Sequence, residues 1–277
     1  MKPFLTVKDY SVSGETFDLL YDAENDMLIT HPQPSLEKLP SYYESPDYIS
    51  HTDGKRSLFE KMYHFVKNIA LKNKLKLINS QSPQKGRLLD IGAGTGDFLL
   101  VAKSDGWQIT GTEPSDKAKS IARKKGVSFV EKTSKLENNS FDVITMWHVL
   151  EHVPDLDTQI KELKRLIKPT GTIIIAVPNF KSFDANYYGK FWAAYDVPIH
   201  LWHFSKTAIE NLFSKEDLKL QKVLPMKFDS FYVSLLSEKY KKGKMNYLKA
   251  FWIGWKSNRY GTKNLEYSSH IYIIRNH

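Results

Sequence analysis

Short apolar runs alternate with helical stretches after residue 86, and this alternation constrains the fold more than any other feature. Five runs are predicted strands, at 87–91, 107–113, 128–130, 141–147 and 172–177. Helix candidates lie between or after them at 96–105, 115–125, 155–167 and 205–213. Strands and helices of this size in alternation indicate βαβ units and a parallel sheet. The near-continuous apolar runs are typical of strands that are covered on both faces.

The segments on either side have a different character. Residues 1–54 are rich in turns and aromatic side chains, and the strand candidates 16–21 and 27–30 within them would form a hairpin. Apolar residues at helical spacing predict a helix over 57–78. Near the C-terminus, two further strand candidates enclose an aromatic, lysine-rich insertion that is predicted to be helical; the three segments are 218–224, 226–262 and 270–275.

Composition excludes several classes of site. The 277 residues include no cysteine, which excludes disulfides, thiolate metal sites and a cysteine nucleophile and suits a reducing compartment. No apolar run approaches the roughly 18 residues of a membrane span, and residues 2–20 lack the pattern of a signal peptide. We therefore expect a cytoplasmic protein with no membrane span.

The net charge of +9 is concentrated at one end of the chain. Residues 212–277 carry 13 basic and 5 acidic side chains, whereas residues 1–50 carry 3 basic and 9 acidic ones. A basic surface can attract nucleic acid, but a solvated lysine-rich surface explains the same charge. We therefore do not expect a nucleic-acid partner.

A glycine-rich turn is the most informative motif. The run Leu88-Leu-Asp-Ile-Gly-Ala-Gly-Thr-Gly-Asp-Phe98 places Gly92, Gly94 and Gly96 between a strand and a helix. Glycine lets a backbone approach a ligand closely, and a helix N-terminus offers free N–H groups. Glu113 ends the next strand, where a carboxylate can accept hydrogen bonds from both hydroxyls of a ribose. No Gly-Lys-Ser/Thr follows the glycines, which excludes a Walker-type nucleotide site.

Together with later residues in the same order, this run resembles the motifs of class I S-adenosylmethionine-dependent methyltransferases. Phe141-Asp-Val-Ile-Thr-Met-Trp-His-Val-Leu-Glu-His-Val-Pro-Asp155 is similar to their fourth-strand motif, and Leu166-Ile-Lys-Pro-Thr-Gly171 precedes the fifth strand. The resemblance implies an α/β fold: a Rossmann-like, seven-stranded, mostly parallel sheet with helices on both faces. It also implies a methyltransferase that uses S-adenosylmethionine.

The resemblance also implies cofactor contacts for particular residues. The amino-acid half of the cofactor would be held by Asp90 and the backbone of Gly92, Ala93, Gly94 and Gly96. Glu113 would bind the ribose, Pro114 would flank the adenine, and Trp147 and His148 would face the methyl group. Relatives often hold the adenine amino group with an aspartate after the third strand. Here Glu131 stands in that region, so Glu131 or the backbone would make this contact.

The segment after the fifth strand resembles the insert of ubiquinone-type O-methyltransferases. The matching residues are Trp192, Asp196-Val-Pro198 and His200-Leu-Trp-His-Phe-Ser205. The resemblance implies a hydroxyl acceptor on a small-molecule or carrier-linked substrate. Such a hydroxyl needs a base, and histidine is the usual one near neutral pH. The catalytic candidates are His200, His148 and His203, with His152 beside them; each could instead be a capping or core histidine.

Residues 16–46 resemble the start of methyltransferases that begin with a small zinc ribbon. Asp22-Ala-Glu-Asn25 stands where the second Cys-x-x-Cys of the ribbon would be, so we expect no zinc there. In such relatives the next tyrosine pair covers the cofactor, which makes Tyr43 a candidate cofactor contact, with Tyr42, Tyr48 and His51 as further lid candidates. An aromatic cluster beneath a loop is the alternative. Glu151, His152 and Asp155 offer metal ligands, but a polar helix end explains them as well, and we expect no metal.

These motifs divide the chain into three parts. We expect a hairpin or lid segment without metal at 1–54, a cofactor-binding methyltransferase core at 55–225 with a substrate insert at 179–204, and a helical insertion and last strand at 226–277. The leading hypothesis is methyl transfer by in-line displacement. The alternatives are a nucleic-acid- or protein-directed methyltransferase or binder that uses the basic tail, and a catalytically silent cofactor-binding scaffold.

Overall fold

Strands and helices alternate along most of the chain, which a computed structural model describes over residues 1–43 and 58–277. The strands are β1 (Lys2–Lys8), β2 (Thr16–Asp22), β3 (Met27–His31), β4 (Arg87–Ile91), β5 (Gln108–Thr112), β6 (Phe141–Trp147), β7 (Ile167–Pro178), β8 (Trp202–His203), β9 (Leu218–Pro225) and β10 (Ser269–Asn276). The helices are α1 (Leu58–Gln81), α2 (Asp97–Ser104), α3 (Asp116–Lys124), α4 (Leu156–Leu166), α5 (Phe183–Tyr188), α6 (Lys206–Ser214), α7 (Asp229–Lys242) and α8 (Tyr247–Asn264).

The central sheet has the order β5-β4-β6-β7-β10-β9. The first four strands of this order run parallel, and β10 is antiparallel to both of its neighbours. The prediction of a mostly parallel sheet is therefore confirmed. Helices α4 and α6 cover one face with side chains such as Ile160 and Phe213, and α2 and α3 cover the other with Leu99 and Ala122.

The predicted strand at 128–130 is the main difference in the central sheet. Within the described residues, it makes one bridge, between Gly111 and Phe129, and forms no ladder. Over residues 1–43 and 58–277 the sheet therefore has six strands rather than the seven predicted. The physical reason is its length: Val130 makes one further backbone hydrogen bond to Gly111, and the chain then enters the 3-10 turn Thr133–Lys135.

A second, antiparallel sheet with the order β1-β2-β3-β8 holds the N-terminal residues. Its β2–β3 hairpin confirms the predicted one. The sequence pattern missed β1, an edge strand whose register is irregular next to Pro3. The β2–β3 turn is held by Asp22, whose carboxylate accepts hydrogen bonds from the N–H of Glu24 (3.0 Å) and the side-chain amide of Asn25 (2.7 Å).

The insertion between β9 and β10 is helical, as predicted, and consists of α7 and α8. The first residue of α7 is Asp229. Its carboxylate contacts His148, the residue that follows the end of β6. Among the described residues, no helix combines the length and the apolar character that crossing a bilayer requires.

Candidate functional site

The glycine turn joins β4 to α2 at the carboxyl end of the central sheet. Gly92 has φ +71° and Gly94 has φ +54°, in the left-handed region that glycine adopts without strain. A Cβ on Gly92 would lie 2.4 Å from Cγ2 of Val149, so the turn packs tightly against the residue that follows His148. A Cβ on Gly94 would meet nothing within 4 Å. The turn is therefore closed on the Gly92 side and open at Gly94.

Glu113 lies beside this turn, immediately after β5. Its Oε2 accepts a hydrogen bond from the N–H of Gly94 (2.8 Å), and its Oε1 accepts one from the N–H of Ser115 (2.9 Å). Pro114 stands between these two contacts in the chain. The amides of Gly92 and Ala93 both donate to the carbonyl of Thr112, and that of Gly96 donates to Ala93. The structure thus brings the predicted ribose residue to the predicted glycines.

Asp90 is buried beneath the turn, with 2% of its surface exposed. Its Oδ1 accepts a 2.6 Å hydrogen bond from the hydroxyl of Thr145. Burial raises the pKa of Asp90 to about 7, although the Thr145 hydrogen bond and the ammonium of Lys74 oppose this shift. Near neutral pH the carboxyl is therefore poised between its neutral and charged forms, and a cation placed beside it would favour the charged form.

Trp147, the last residue of β6, lies against Lys74 of α1. The ring of Trp147 meets the edge of Phe98, with 5.8 Å between the ring centroids. The ammonium of Lys74 lies 4.4 Å from the centroid of a Trp147 ring, and burial lowers the pKa of Lys74. The indole Nε1 of Trp147 is buried and has no hydrogen-bond partner among the described residues. This N–H is a donor available to a bound group.

His148 follows β6 with φ +56° and lies between two carboxylates. Its Nε2 is 3.0 Å from Oδ2 of Asp229, and its Nδ1 is 3.3 Å from Oε1 of Glu151. Burial lowers the pKa of His148. The carboxylates of Asp229 and Glu151 raise it by a larger amount, and the resulting pKa is about 10. Both ring nitrogens then carry protons at neutral pH, which disfavours the predicted role of His148 as a general base.

His200 and His152 form a separate pair, with ring centroids 4.6 Å apart. Nδ1 of His200 is 2.9 Å from the carbonyl of Ala194, and Nδ1 of His152 is 3.0 Å from the carbonyl of Ile199. A carbonyl only accepts, so each Nδ1 carries the proton and each Nε2 keeps a lone pair. Burial lowers the pKa of His152 and holds that of His200 well below its usual range. Both rings are therefore neutral near pH 7, and the lone pair on each Nε2 can meet a hydrogen-bond donor or a metal.

His203 lies in the N-terminal sheet, and its ring centroid is 6.4 Å from that of His200. The hydroxyl of Thr30 donates to the carbonyl of His200 (2.6 Å), so Nε2 of His203 donates to the oxygen of Thr30 (3.0 Å). Burial lowers the pKa of His203 to about 3. This histidine joins β8 to β3, and the contact gives it a structural role. Trp192 is also buried, and its Nε1 donates to Oδ2 of Asp184 (2.8 Å).

Glu151 completes the group around the histidine pair. It is 1% exposed. Its Oε1 lies 3.3 Å from Nδ1 of His148, and both carboxylate oxygens are buried. Glu151, His152 and His200 offer ligand atoms that all lie within 4.8 Å of one another. These three side chains could hold a metal ion, a set that differs from the Glu151, His152 and Asp155 considered from the sequence.

Tyr43 lies against the same pair: its hydroxyl is 3.1 Å from Nδ1 of His152. Tyr48 and His51, the other lid candidates after it, lie outside the described residues. Sequence reasoning missed Asp229 and Lys74. Helical periodicity predicted that Lys74 lies on a helix, but nothing in the neighbouring sequence indicated that it approaches Asp90. Asp229 belongs to the insertion, which is distant along the chain.

A family model for a methyltransferase domain matches residues 59–223. The ubiquinone biosynthesis O-methyltransferase of Actinobacillus pleuropneumoniae serotype 7 is 33% identical over 131 residues, which cover 41% of this chain and 56% of that protein. The enzyme of the same name from Haemophilus ducreyi is 30% identical over 148 residues, covering 44% and 63%. The match to the first of these relatives spans about half of its length.

Solved structures show the same fold. Magnesium protoporphyrin IX methyltransferase from Synechocystis PCC 6803, with bound SAH, superposes with a TM-score of 0.57 at 12% identity, covering 87% of this chain and all of that one. Geranyl diphosphate C-methyltransferase from Streptomyces coelicolor A3(2) gives a TM-score of 0.55 at 15% identity, covering 81% and 87%. Since the family model covers more than half of the chain, this protein belongs to the methyltransferase-domain family of S-adenosylmethionine-dependent enzymes.

Proposed function

We propose that this chain transfers the methyl group of S-adenosylmethionine to a hydroxyl oxygen of a small or carrier-linked substrate. The observation that carries the proposal is that the glycine turn, which would hold the cofactor, adjoins the pair His152 and His200, which would face the acceptor. Gly92 of the glycine turn packs on Val149, and the adjoining residues Glu151 and His152 meet His200. Ligands of open α/β sheets bind at this carboxyl end of the strands.

Four features of the site fit the cofactor. The open space at Gly94 leaves room for a ligand against the backbone, and the buried Nε1 of Trp147 offers an unused donor. Each oxygen of Glu113 accepts one backbone hydrogen bond and keeps a lone pair for a ribose hydroxyl. Asp90 would bind the amino group. When bound, the cofactor supplies a methyl group on a positively charged sulfur, already activated for displacement.

The chain's own residues have three tasks in the transfer. The first is alignment, because an in-line displacement depends on holding the two reacting atoms in a productive geometry. The second is proton removal: we assign it to Nε2 of His200, which is neutral and carries a lone pair, with His152 beside it. The third is charge balance, in which the imidazolium of His148 compensates the carboxylates of Asp229 and Glu151.

The acceptor class rests on the relatives. Two of them are named ubiquinone biosynthesis O-methyltransferases, which supports an oxygen acceptor. Their partial coverage makes the substrate of this chain a proposal. The substrate insert 179–204, in which Trp192 and Tyr195 are buried, contains His200 and would shape the acceptor pocket. Descent of residues 16–46 from a zinc ribbon remains a hypothesis.

The test is a transfer assay with methyl-labelled S-adenosylmethionine and a panel of phenols and catechols, with and without prenyl chains. We expect label to appear in an ether product, with one equivalent of demethylated cofactor. His200→Gln should lower turnover about 10²–10⁴-fold, the usual contribution of a positioned base, while cofactor affinity stays unchanged. His31→Gln, an exposed histidine, is the matched control. Cofactor binding without transfer to any acceptor would favour the silent scaffold instead.

A further inference from the structure

Helix α8 presents apolar residues on two opposite faces. One face, which includes Ala250, Ile253 and Gly254, is buried. A Cβ on Gly254 would lie 2.7 Å from Cδ1 of Phe231, and one on Gly261 would lie 2.7 Å from Cδ1 of Tyr267. The small residues thus let the helix pack closely, and this packing fixes which face points outward.

The opposite face carries large side chains that are exposed. Their exposed fractions are 87% for Leu248, 63% for Phe251, 51% for Trp252 and 38% for Trp255. The spacing of three, four and seven residues places these four on one side of a helix. We call them, with the cations that continue the same side, the α8 outer face; the cations are Lys256, Arg259 and Lys263. Monomeric proteins seldom expose so many large apolar side chains together unless the surface binds something.

The charge of the α8 outer face has one sign. The helix sequence from Tyr247 to Asn264 contains no aspartate or glutamate. The ammonium of Lys256 lies 5.2 Å from the ring centroid of Trp252, and the guanidinium of Arg259 lies 5.4 Å from that of Trp255. The cations therefore sit directly against the aromatic rings, and the binding partner must accept apolar side chains and positive charge at the same place.

We propose that the α8 outer face binds the surface of an anionic phospholipid bilayer, with the helix lying in the plane of the interface. A helix with apolar and aromatic residues on one side and basic residues beside them binds this way. Indole rings favour the headgroup level, and lysine and arginine are attracted to anionic headgroups. The proposal goes beyond the proposed methyl transfer and does not depend on it.

Two other occupants fit the face less well. A second copy docked face to face would offer no carboxylate to pair with Lys256, Arg259 or Lys263, because the helix contains none. Single-stranded nucleic acid binds by stacking bases on uncovered aromatic faces. Here Trp252 and Trp255 stack on each other, with centroids 5.0 Å apart, and the two cations already lie against the rings. Leu248, the most exposed of the four apolar residues, offers no stacking surface.

The position of α8 connects this surface to the site. Helix α8 packs against α7, and the first residue of α7, Asp229, contacts His148. A bilayer bound at the α8 outer face would thus be one helix away from the residues that border the candidate site.

The test is co-sedimentation of the full chain with vesicles of phosphatidylcholine alone or of phosphatidylcholine mixed with phosphatidylglycerol. We expect at least about tenfold stronger partitioning to the anionic vesicles, since each cation near such a surface contributes about fivefold. Trp252→Gln combined with Trp255→Gln should reduce binding about tenfold or more. Lys256→Gln combined with Arg259→Gln should remove most of the preference for anionic lipid. Phe4→Gln combined with Leu36→Gln, both exposed in the N-terminal region, is the matched control and should bind as the parent does.

Circular dichroism of each variant establishes that it is folded, and cofactor titration of the same samples is independent of the vesicle result. The proposal is overturned if the parent chain does not partition to anionic vesicles, or if the paired tryptophan variant partitions as strongly as the parent. It is also overturned if the parent ignores vesicles and the tryptophan pair instead abolishes self-association in sedimentation velocity, or abolishes binding of single-stranded RNA or of an acidic protein.

Discussion

Nε2 of His148 lies 3.0 Å from Oδ2 of Asp229, and this contact joins the end of β6 to the first residue of α7. On its other side, His148 faces Glu151. A histidine in the position that the family resemblance directs at the substrate is therefore held as a cation. Its charge depends on a residue from the insertion, so the insertion contributes to the electrostatics of the site.

The first prediction concerns the raised pKa of His148. We expect ring-nitrogen NMR to give a pKa of about 10 in the parent chain and a clearly lower one in Asp229→Asn. Because the pKa is raised on folding, the contact stabilises the fold fully below the ordinary value of 6.5 and loses this effect as the pH rises toward 10. The stability difference between parent and His148→Gln should shrink over that interval. A titration of His148 near its ordinary pKa in the parent would contradict the assignment.

Removal of the Glu113 carboxylate should weaken cofactor binding. A hydrogen bond to a charged group contributes about 1.5–3 kcal/mol, so Glu113→Ala should raise the Kd for S-adenosylmethionine about 10- to 150-fold. Glu137→Ala, an exposed glutamate with 86% of its side chain accessible, is the control and should leave the Kd unchanged. Equal affinities in both variants would exclude Glu113 from the ribose contact.

Alanine at the glycines of the turn should separate folding from binding. Gly92→Ala forces a Cβ to within 2.4 Å of Val149 and should cost several times the roughly 1 kcal/mol of positive-φ strain. Gly94→Ala meets no atom within 4 Å, so it should cost only that strain while lowering cofactor affinity. Gly126→Ala, also at positive φ in open space, measures the strain alone. Thermal unfolding and calorimetry check all three variants. An unchanged affinity of Gly94→Ala for S-adenosylmethionine would speak against cofactor binding at the glycine turn.

Cofactor affinity should rise with pH through the titration of Asp90. Its pKa is about 7, and the charged form attracts the amino group, so binding should release a proton near that pH and tighten from pH 6 toward pH 8. Calorimetry in buffers of different ionisation enthalpy detects this proton. Asp90→Asn should lose the pH dependence. Asp97→Asn should keep it, because Lys125 and Lys67 hold the pKa of Asp97 at about 2 despite its burial.

The sequence predicted the features that depend on neighbouring residues. The strands at 87–91 and 141–147 match β4 and β6 residue for residue, because each is a short, mostly apolar run with a clear stop. The helix predicted at 205–213 is α6 (Lys206–Ser214), and Ser205 caps it: the Ser205 hydroxyl accepts from the N–H of Ala208 at 3.0 Å. The meeting of the glycine turn with Glu113 also follows from local order, since adjacent parallel strands end at the same edge.

What the sequence missed depends on packing between distant segments. Nothing near Asp229 or Lys74 in the chain shows that they approach His148 and Asp90, and without Asp229 the charge of His148 cannot be inferred. The position of His203 in the N-terminal sheet depends on the pairing of β8 with β3, which is too short a ladder to leave a pattern. Histidine spacing alone could not show that His148 lies between two carboxylates whereas Nε2 of His203 contacts Thr30.

The most direct test of the central claim is calorimetric titration of the folded full chain with S-adenosylmethionine and with its demethylated product. We predict one site that binds both ligands with a Kd well below about 1 mM, weakened by Glu113→Ala and unaffected by Glu137→Ala. No detectable binding of either ligand up to millimolar concentration, with the chain shown to be folded, would contradict the assignment of this site.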